Sequence, residues 1–152
     1  MKIITPEDKI VKSKNSVFLA GTTPKNRKND WRKQIIAILQ EKGFNGTIFN
    51  PDYTEIANKL TYEDQIMWEI KAMKACGVVA FWIDRDLPKR PGLTTNVEFG
   101  YWLRSDKVVY GRPENSEKCF YLDYTYKYEQ KRKHVLTLNQ LADEIIKKLS
   151  KA

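Results

Sequence analysis

Apolar residues along this chain fall into two alternating patterns, short unbroken runs and stripes recurring at every third and fourth position. The runs are Ser16-Val17-Phe18-Leu19-Ala20, ending at Gly21, then Gly46-Thr47-Ile48-Phe49, Gly77-Val78-Val79-Ala80-Phe81-Trp82-Ile83, Lys107-Val108-Val109-Tyr110-Gly111 and a brief His134-Val135-Leu136. Each is short, apolar and bounded by turn residues, which predicts buried strands. Between the first two runs, Trp31, Ile35, Ile38 and Leu39 share one helix face, with Asp30 placed to cap the helix and Gly43 to end it. Ile66, Ile70 and Met73 form the inward stripe of a second helix, Tyr62 to Ala75, behind the cap Thr61. A final helix follows Thr137-x-x-Gln140 with Leu138, Leu141, Ile145, Ile146 and Leu149 on one side. Strand and helix alternate throughout, which predicts an α/β domain whose parallel five-stranded sheet is covered on both faces. Residues 1–14 are polar and lysine-rich and are expected to form a loosely attached arm, with the domain occupying residues 15–152. The span from Arg112 to Lys133 is the least patterned, and a helix is expected around Phe120-Tyr121-Leu122-Asp123-Tyr124.

The stretch Gly92-Leu93-Thr94-Thr95-Asn96-Val97-Glu98-Phe99-Gly100 follows the most apolar run and so lies at the carboxyl end of a strand. Open α/β sheets bind their ligands there. Two readings of it compete. Thr95-x-x-Glu98 matches a capping box, in which Glu98 only ties off its own helix. Alternatively, Glu98 stands in the first helical turn, has its ionised form favoured by the helix dipole, and faces the crevice above the sheet as a nucleophile. Gly100, inside the helix at a cost of about 1 kcal/mol relative to alanine, implies close approach by something else.

With 152 residues, 41% of them hydrophobic, the chain can bury one ordinary core. It has no stretch of apolar residues long enough to span a membrane, and its amino terminus lacks the apolar segment of a signal peptide, so a cytoplasmic location is expected. Cys76 and Cys119 fit reduced core thiols better than a disulfide framework. The net charge of +8 favours anionic partners. Its main concentrations, Lys25-Asn26-Arg27-Lys28 and Lys127 to Lys133, read as solvated surface, and without a recognition motif nucleic acid is not an expected partner. One histidine and two separated cysteines supply too few ligands for a metal site, and no cofactor is expected. Serine–histidine or cysteine–histidine catalysis would have to use His134, and nothing in the sequence places it beside Cys76; a Walker loop is absent. Carboxylate chemistry remains. Two acids flanking a sugar can break a glycosidic bond, one attacking the anomeric carbon while the other assists the leaving group. Glu98 and Glu69 are the available pair, with Asp52 or Asp64 in reserve.

In order, Val17-Phe18-Leu19-Ala20-Gly21, Asp30-Trp31-Arg32, Asn50-Pro51, Gln65-Ile66-Met67-Trp68-Glu69, Val79-Ala80-Phe81-Trp82-Ile83 and Leu93-Thr94-Thr95-Asn96-Val97-Glu98-Phe99-Gly100 resemble the nucleoside 2-deoxyribosyltransferase family, in particular its divergent branch. The resemblance covers roughly residues 16–104. It implies a flavodoxin-like (Rossmann-like) three-layer sandwich and an enzyme acting on the N-glycosidic bond of a nucleoside or nucleotide. On this resemblance Glu98 matches the nucleophile that forms a covalent deoxyribosyl intermediate, and Glu69 falls beside the acid that helps handle the base. Substrate contacts are expected from Gly21 and Thr22 at the first strand's end, Asp30 and Arg32 at the first helix start, and Asn50 and Asp52 after the second strand. Gln65 and Trp68 on the second helix, and Thr95 and Asn96 beside Glu98, complete the set. Lys25, Arg27 and Arg32 make a 5′-phosphorylated substrate reasonable. The chain departs from the family pattern at Val17, where a tyrosine is usual, and at Cys76, where an aspartate is common. Family members assemble as oligomers in which a neighbour's segment completes the pocket, so homo-oligomerisation is implied, with Arg112 to Lys133 as the corresponding region. Two activities stay open, glycosyl transfer to an acceptor base or to water. A third possibility is a catalytically silent module of the same fold that senses nucleotides.

Overall fold

The computed structural model describes residues 1–23, 29–51 and 60–151. Among the described residues ten elements follow one another: β1 (Lys2–Ile4), β2 (Ser16–Gly21), α1 (Trp31–Glu41), β3 (Thr47–Phe49), α2 (Tyr62–Ala75), β4 (Val78–Trp82), α3 (Leu93–Trp102), β5 (Val108–Gly111), α4 (Phe120–Gln130) and α5 (Leu138–Leu149). The five strands form one sheet in the order β1-β3-β2-β4-β5, every pairing parallel. Alternate residues of the central strands feed two cores, as the pleat requires. Phe18, Ala20, Val79 and Phe81 face Trp68, Ala72 and Met73 of α2, Phe99 of α3 and Tyr126 of α4. Val17, Leu19, Val78, Ala80 and Trp82 face Trp31, Ile35 and Leu39 of α1 and Leu141, Ala142 and Ile145 of α5. The result is the three-layer parallel sandwich of the flavodoxin-like type.

Two elements differ from the sequence reading. Lys2–Ile4, in the stretch expected to be a loose arm, adds β1 to the sheet edge, with Ile4 buried in the α2-side core. Two isoleucines among lysines make too short a pattern to show as a strand, yet one of them is enough to bury. Conversely, His134-Val135-Leu136, expected as the fifth strand, contributes a single parallel bridge from Val135 to Gly111. Thr137 already caps α5 by accepting from the Gln140 amide, which leaves no length for a strand.

The chain turns back across the sheet at β2. It leaves β2 through α1 to β3 on one side and returns through α2 to β4 on the other. The gap above the carboxyl ends of β2 and β4 is therefore the topological switch point, where helices on opposite faces diverge and leave a crevice.

Candidate active site

The floor of the crevice is set by close contact between β2 and β4. Gly21 has φ +140°, and a Cβ there would stand 2.1 Å from the Trp82 carbonyl oxygen, so only glycine allows the two strand ends to meet. Thr22 then locks the exit loops together. Its amide donates to the Trp82 carbonyl at 3.1 Å, its hydroxyl receives the Asp84 amide at 3.0 Å, and its own carbonyl accepts from Trp31 Nε1 at 2.8 Å. Both Gly21 and Thr22, expected as substrate contacts, are engaged in building the crest.

On one wall, Asp30 caps α1 by accepting from the Arg32 amide at 2.9 Å, as the sequence predicts. This brings Arg32 over the end of β2. Its Nε donates to the Leu19 carbonyl at 3.2 Å and its Nη2 to the Gly21 carbonyl at 3.4 Å, while the guanidinium lies 4.7 Å from the Trp31 ring centroid. Arg32 is only 7% exposed, and its positive charge lowers the pKa of Glu98.

Glu98 comes from the other wall, and its setting differs from the capping-box reading. Helix α3 starts at Leu93 behind Gly92, which adopts the left-handed conformation (φ 63°, ψ 43°) and makes no side-chain cap bond. A Cβ at Gly92 would sit 3.0 Å from Thr22 Cγ2, so the loop is pressed against the crest as well as strained for any other residue. The helix thus begins three residues earlier than a Thr95 cap requires. Thr95 is buried within the first turn, and that turn contains no acid. Glu98 stands a turn further in, where the helix dipole has largely faded. Burial of Thr95 and Phe99 fixes the rotation of α3, with Phe99 edge-on to Phe81 and Tyr110 at centroid distances of 5.2 and 5.0 Å. Glu98 is left half-buried beside that face, and Asn96 accepts a hydrogen bond from the buried Arg85.

These placements change the expected charge state of Glu98. Burial, reinforced by the charge of Glu69 and opposed by that of Arg32, pushes its carboxyl up to about 7. The dipole-stabilised carboxylate of the sequence reading is replaced by a group that shares its proton near neutrality. Glu69 belongs to α2, capped at Thr61 by a full capping box with Asp64. Asp64 is thereby consumed at the helix start and does not serve as a reserve acid. Trp68, the residue before Glu69, packs against Phe18 and Phe49 at centroid distances of 6.1 and 6.4 Å. Asn50 is buried just after Phe49, and Gln65 lies one turn before Glu69 on the same helix. Asp52, with Lys25 and Arg27, lies outside the described residues.

None of the described residues makes the close approach expected at Gly100: a Cβ there would meet none of them within 4 Å. The same surface of α3 carries Leu93, Val97 and Tyr101, each more than 70% exposed. Beyond it, sequence reasoning missed a polar network at the end of β5. Arg112 grips Asp123 of α4 with Nη2 at 2.7 Å from Oδ2 and Nε at 3.1 Å from Oδ1, and Tyr110 Oη donates to the same carboxylate at 3.0 Å. His134 Nδ1 lies 3.4 Å from Asp123, and burial lowers its pKa. Nothing in the spacing of Arg112 and Asp123 announces the pair, which forms because β5 and α4 pack side by side. Burial pushes the Cys76 thiol up to about 12 and raises that of Cys119, so both stay protonated at neutral pH.

The fold and this crevice define a doubly wound α/β protein that brings two acids and an arginine together at its switch point, without any cluster of three metal-ligand side chains among the described residues. The family model described as nucleoside 2-deoxyribosyltransferase like matches residues 14–115, and the chain belongs to that family. No curated protein matches the chain.

Proposed function

We propose that this chain cleaves or transfers the N-glycosidic bond of a deoxynucleoside or deoxynucleotide through a glycosyl intermediate on Glu98. The observation that carries the reading is the charge coupling of Glu98 with Glu69 and Arg32 at the switch point. In the first half-reaction an ionised Glu98 oxygen bonds to the anomeric carbon as the bond from that carbon to the base nitrogen breaks. Glu69 supplies a proton to the departing base, and Arg32 offsets the negative charge shared by the two acids. In the second half an acceptor base or water gives its proton to Glu69 and takes the sugar, which breaks the ester and frees the Glu98 carboxylate. A raised Glu98 pKa suits this cycle: a carboxylate of higher basicity is the better nucleophile, and neutral pH still ionises a working fraction. We take Arg32 of α1, Asn50 after β3, Gln65 and Trp68 of α2, and Thr95 and Asn96 of α3 as the substrate contacts of this reaction.

The outer surfaces of α3 and α4 support self-association in the cytoplasm. Leu93, Val97 and Tyr101 on α3 and Phe120, Tyr121, Tyr124 and Tyr128 on α4 leave large apolar side chains in water, with Phe120 81% exposed, and Gly100 leaves room for a second backbone. Val97→Lys combined with Tyr101→Lys should turn a dimer or larger assembly into monomer in sedimentation; a wild-type chain already monomeric at micromolar concentration overturns this part.

Incubation with a panel of 2′-deoxynucleosides and their 5′-phosphates, with and without a free acceptor base, tests the reaction. Base exchange identifies a transferase, and free sugar with released base a hydrolase. Glu98→Ala should remove either product while the circular dichroism spectrum is retained. Turnover surviving in that variant, or ligand binding by the wild type with no product under any acceptor, sinks the catalytic reading, the latter in favour of a sensing module.

A further inference from the structure

We infer that Trp68 Nε1 and Asn50 Oδ1 are the protein's side of a base-recognition pair, one donor and one acceptor that the fold leaves open for a nucleobase edge. This rests on the proposed glycosidic reaction and adds to it the part of the substrate that is read. Trp68 is 7% exposed and Asn50 9%, and neither of these atoms has a hydrogen-bond partner among the described residues. Buried polar atoms are satisfied in the great majority of cases, and an orphan in a folded protein marks a place where something else completes the bond. The two atoms belong to neighbouring parts of the core: Trp68 packs edge-on against Phe49 with ring centroids 6.4 Å apart, and Asn50 follows Phe49 at the carboxyl end of β3. Trp68 is followed on α2 by Glu69, whose charge acts on Glu98, so the same helix segment carries both.

The chemistry of the two atoms selects the ligand. An indole N–H only donates and an amide oxygen only accepts, so the complementary group presents an acceptor and a donor together. A phosphate or carboxylate offers acceptors alone and would face the Asn50 oxygen with like charge. A heterocyclic base edge offers both, and the aromatic wall of Phe18, Phe49 and Trp68 suits its planar, partly apolar body. Both atoms are closed to bulk water in the free chain, so the base reaches them through a local opening that its own binding energy drives.

Trp68→Phe removes the N–H and keeps an aromatic ring against Phe18 and Phe49; Asn50→Leu removes the acceptor at similar volume. Each is assayed for kcat/KM on 2′-deoxynucleosides, on deaza analogues lacking one ring acceptor, and on N-methyl analogues lacking one ring donor. Nucleoside binding is followed by calorimetry in parallel. Each variant should lose about tenfold or more in kcat/KM on the preferred nucleoside. On the analogue that lacks the matching atom, wild type and variant should be equal. A loss spread evenly over all analogues, or no loss, overturns the pair while leaving the reaction standing. Nucleoside binding without turnover, weakened by both substitutions, overturns the reaction and keeps the pair. Neither binding nor turnover in the wild type overturns both.

Discussion

Replacing Glu98 with glutamine should make the protein more stable at alkaline pH while stopping its chemistry. A carboxyl raised from 4.5 to about 7 binds its proton more tightly in the folded chain than in the unfolded one. Between those two values the folded state holds more protons, so stability falls as pH rises through the window and stays reduced above it. The difference of about 2.5 pKa units corresponds to about 3 kcal/mol when the group is fully ionised in both states. Water entering the crevice screens part of this, which leaves about 2 kcal/mol to be recovered by a neutral side chain of the same shape. For a chain of this size the gain is a rise in Tm of about 4–8 °C at about pH 8. At about pH 4 wild-type Glu98 is protonated in the folded state and mostly so in the unfolded state, and the variant should then match it. Thermal unfolding of both proteins by circular dichroism, with base release assayed at the higher pH, measures the two effects together. A Glu98→Gln protein equally stable at both pH values relative to wild type, or less stable at the higher one, refutes the argument that burial and Glu69 hold this acid in an unfavourable charge state.

Three further outcomes follow from the same geometry. If ionised Glu98 is the attacking group, kcat/KM should climb with pH through about 7; Arg32→Met, by removing the charge that lowers the Glu98 pKa, should move that limb upward, and Arg32→Lys should hold it nearer its original place. Gly21→Ala drives a methyl group into the Trp82 carbonyl at 2.1 Å and should cost at least about 3 kcal/mol in urea unfolding, whereas Gly100→Ala, which meets nothing within 4 Å, should stabilise the isolated chain by about 1 kcal/mol. Asp123→Ala strands Arg112 and the Tyr110 hydroxyl in a partly buried site and should cost about 2–3 kcal/mol, with little change in the pH dependence of turnover because the network lies outside the Glu98–Glu69 pair.

Most of the sandwich could be read from residue pattern because each central strand is an uninterrupted apolar run and α1 and α5 carry stripes at helical period; the stripe expected for α2 is wrong, since Ile66 and Ile70 are exposed and Trp68, Ala72 and Met73 form its buried face. The α2 boundaries and the Asp30, Thr61 and Thr137 caps were legible for the same reason, since capping chemistry is local. The α3 start was not, although its signal was equally local. Thr95-x-x-Glu98 satisfies the capping pattern, but Gly92 can take a left-handed conformation that Leu93, Thr94 and Thr95 do not take cheaply, and this starts the helix first. That displacement sets the charge state of Glu98. A Glu98 at the third helical position would be held ionised by backbone amides and the dipole, a poor nucleophile tied to its own chain. Moved inward, it loses those partners and meets the charges of Glu69 from α2 and Arg32 from α1. No periodicity encodes that encounter, because it depends on two crossovers in opposite directions from β2. The sequence therefore names the acid, while its charge state is set where the sheet reverses.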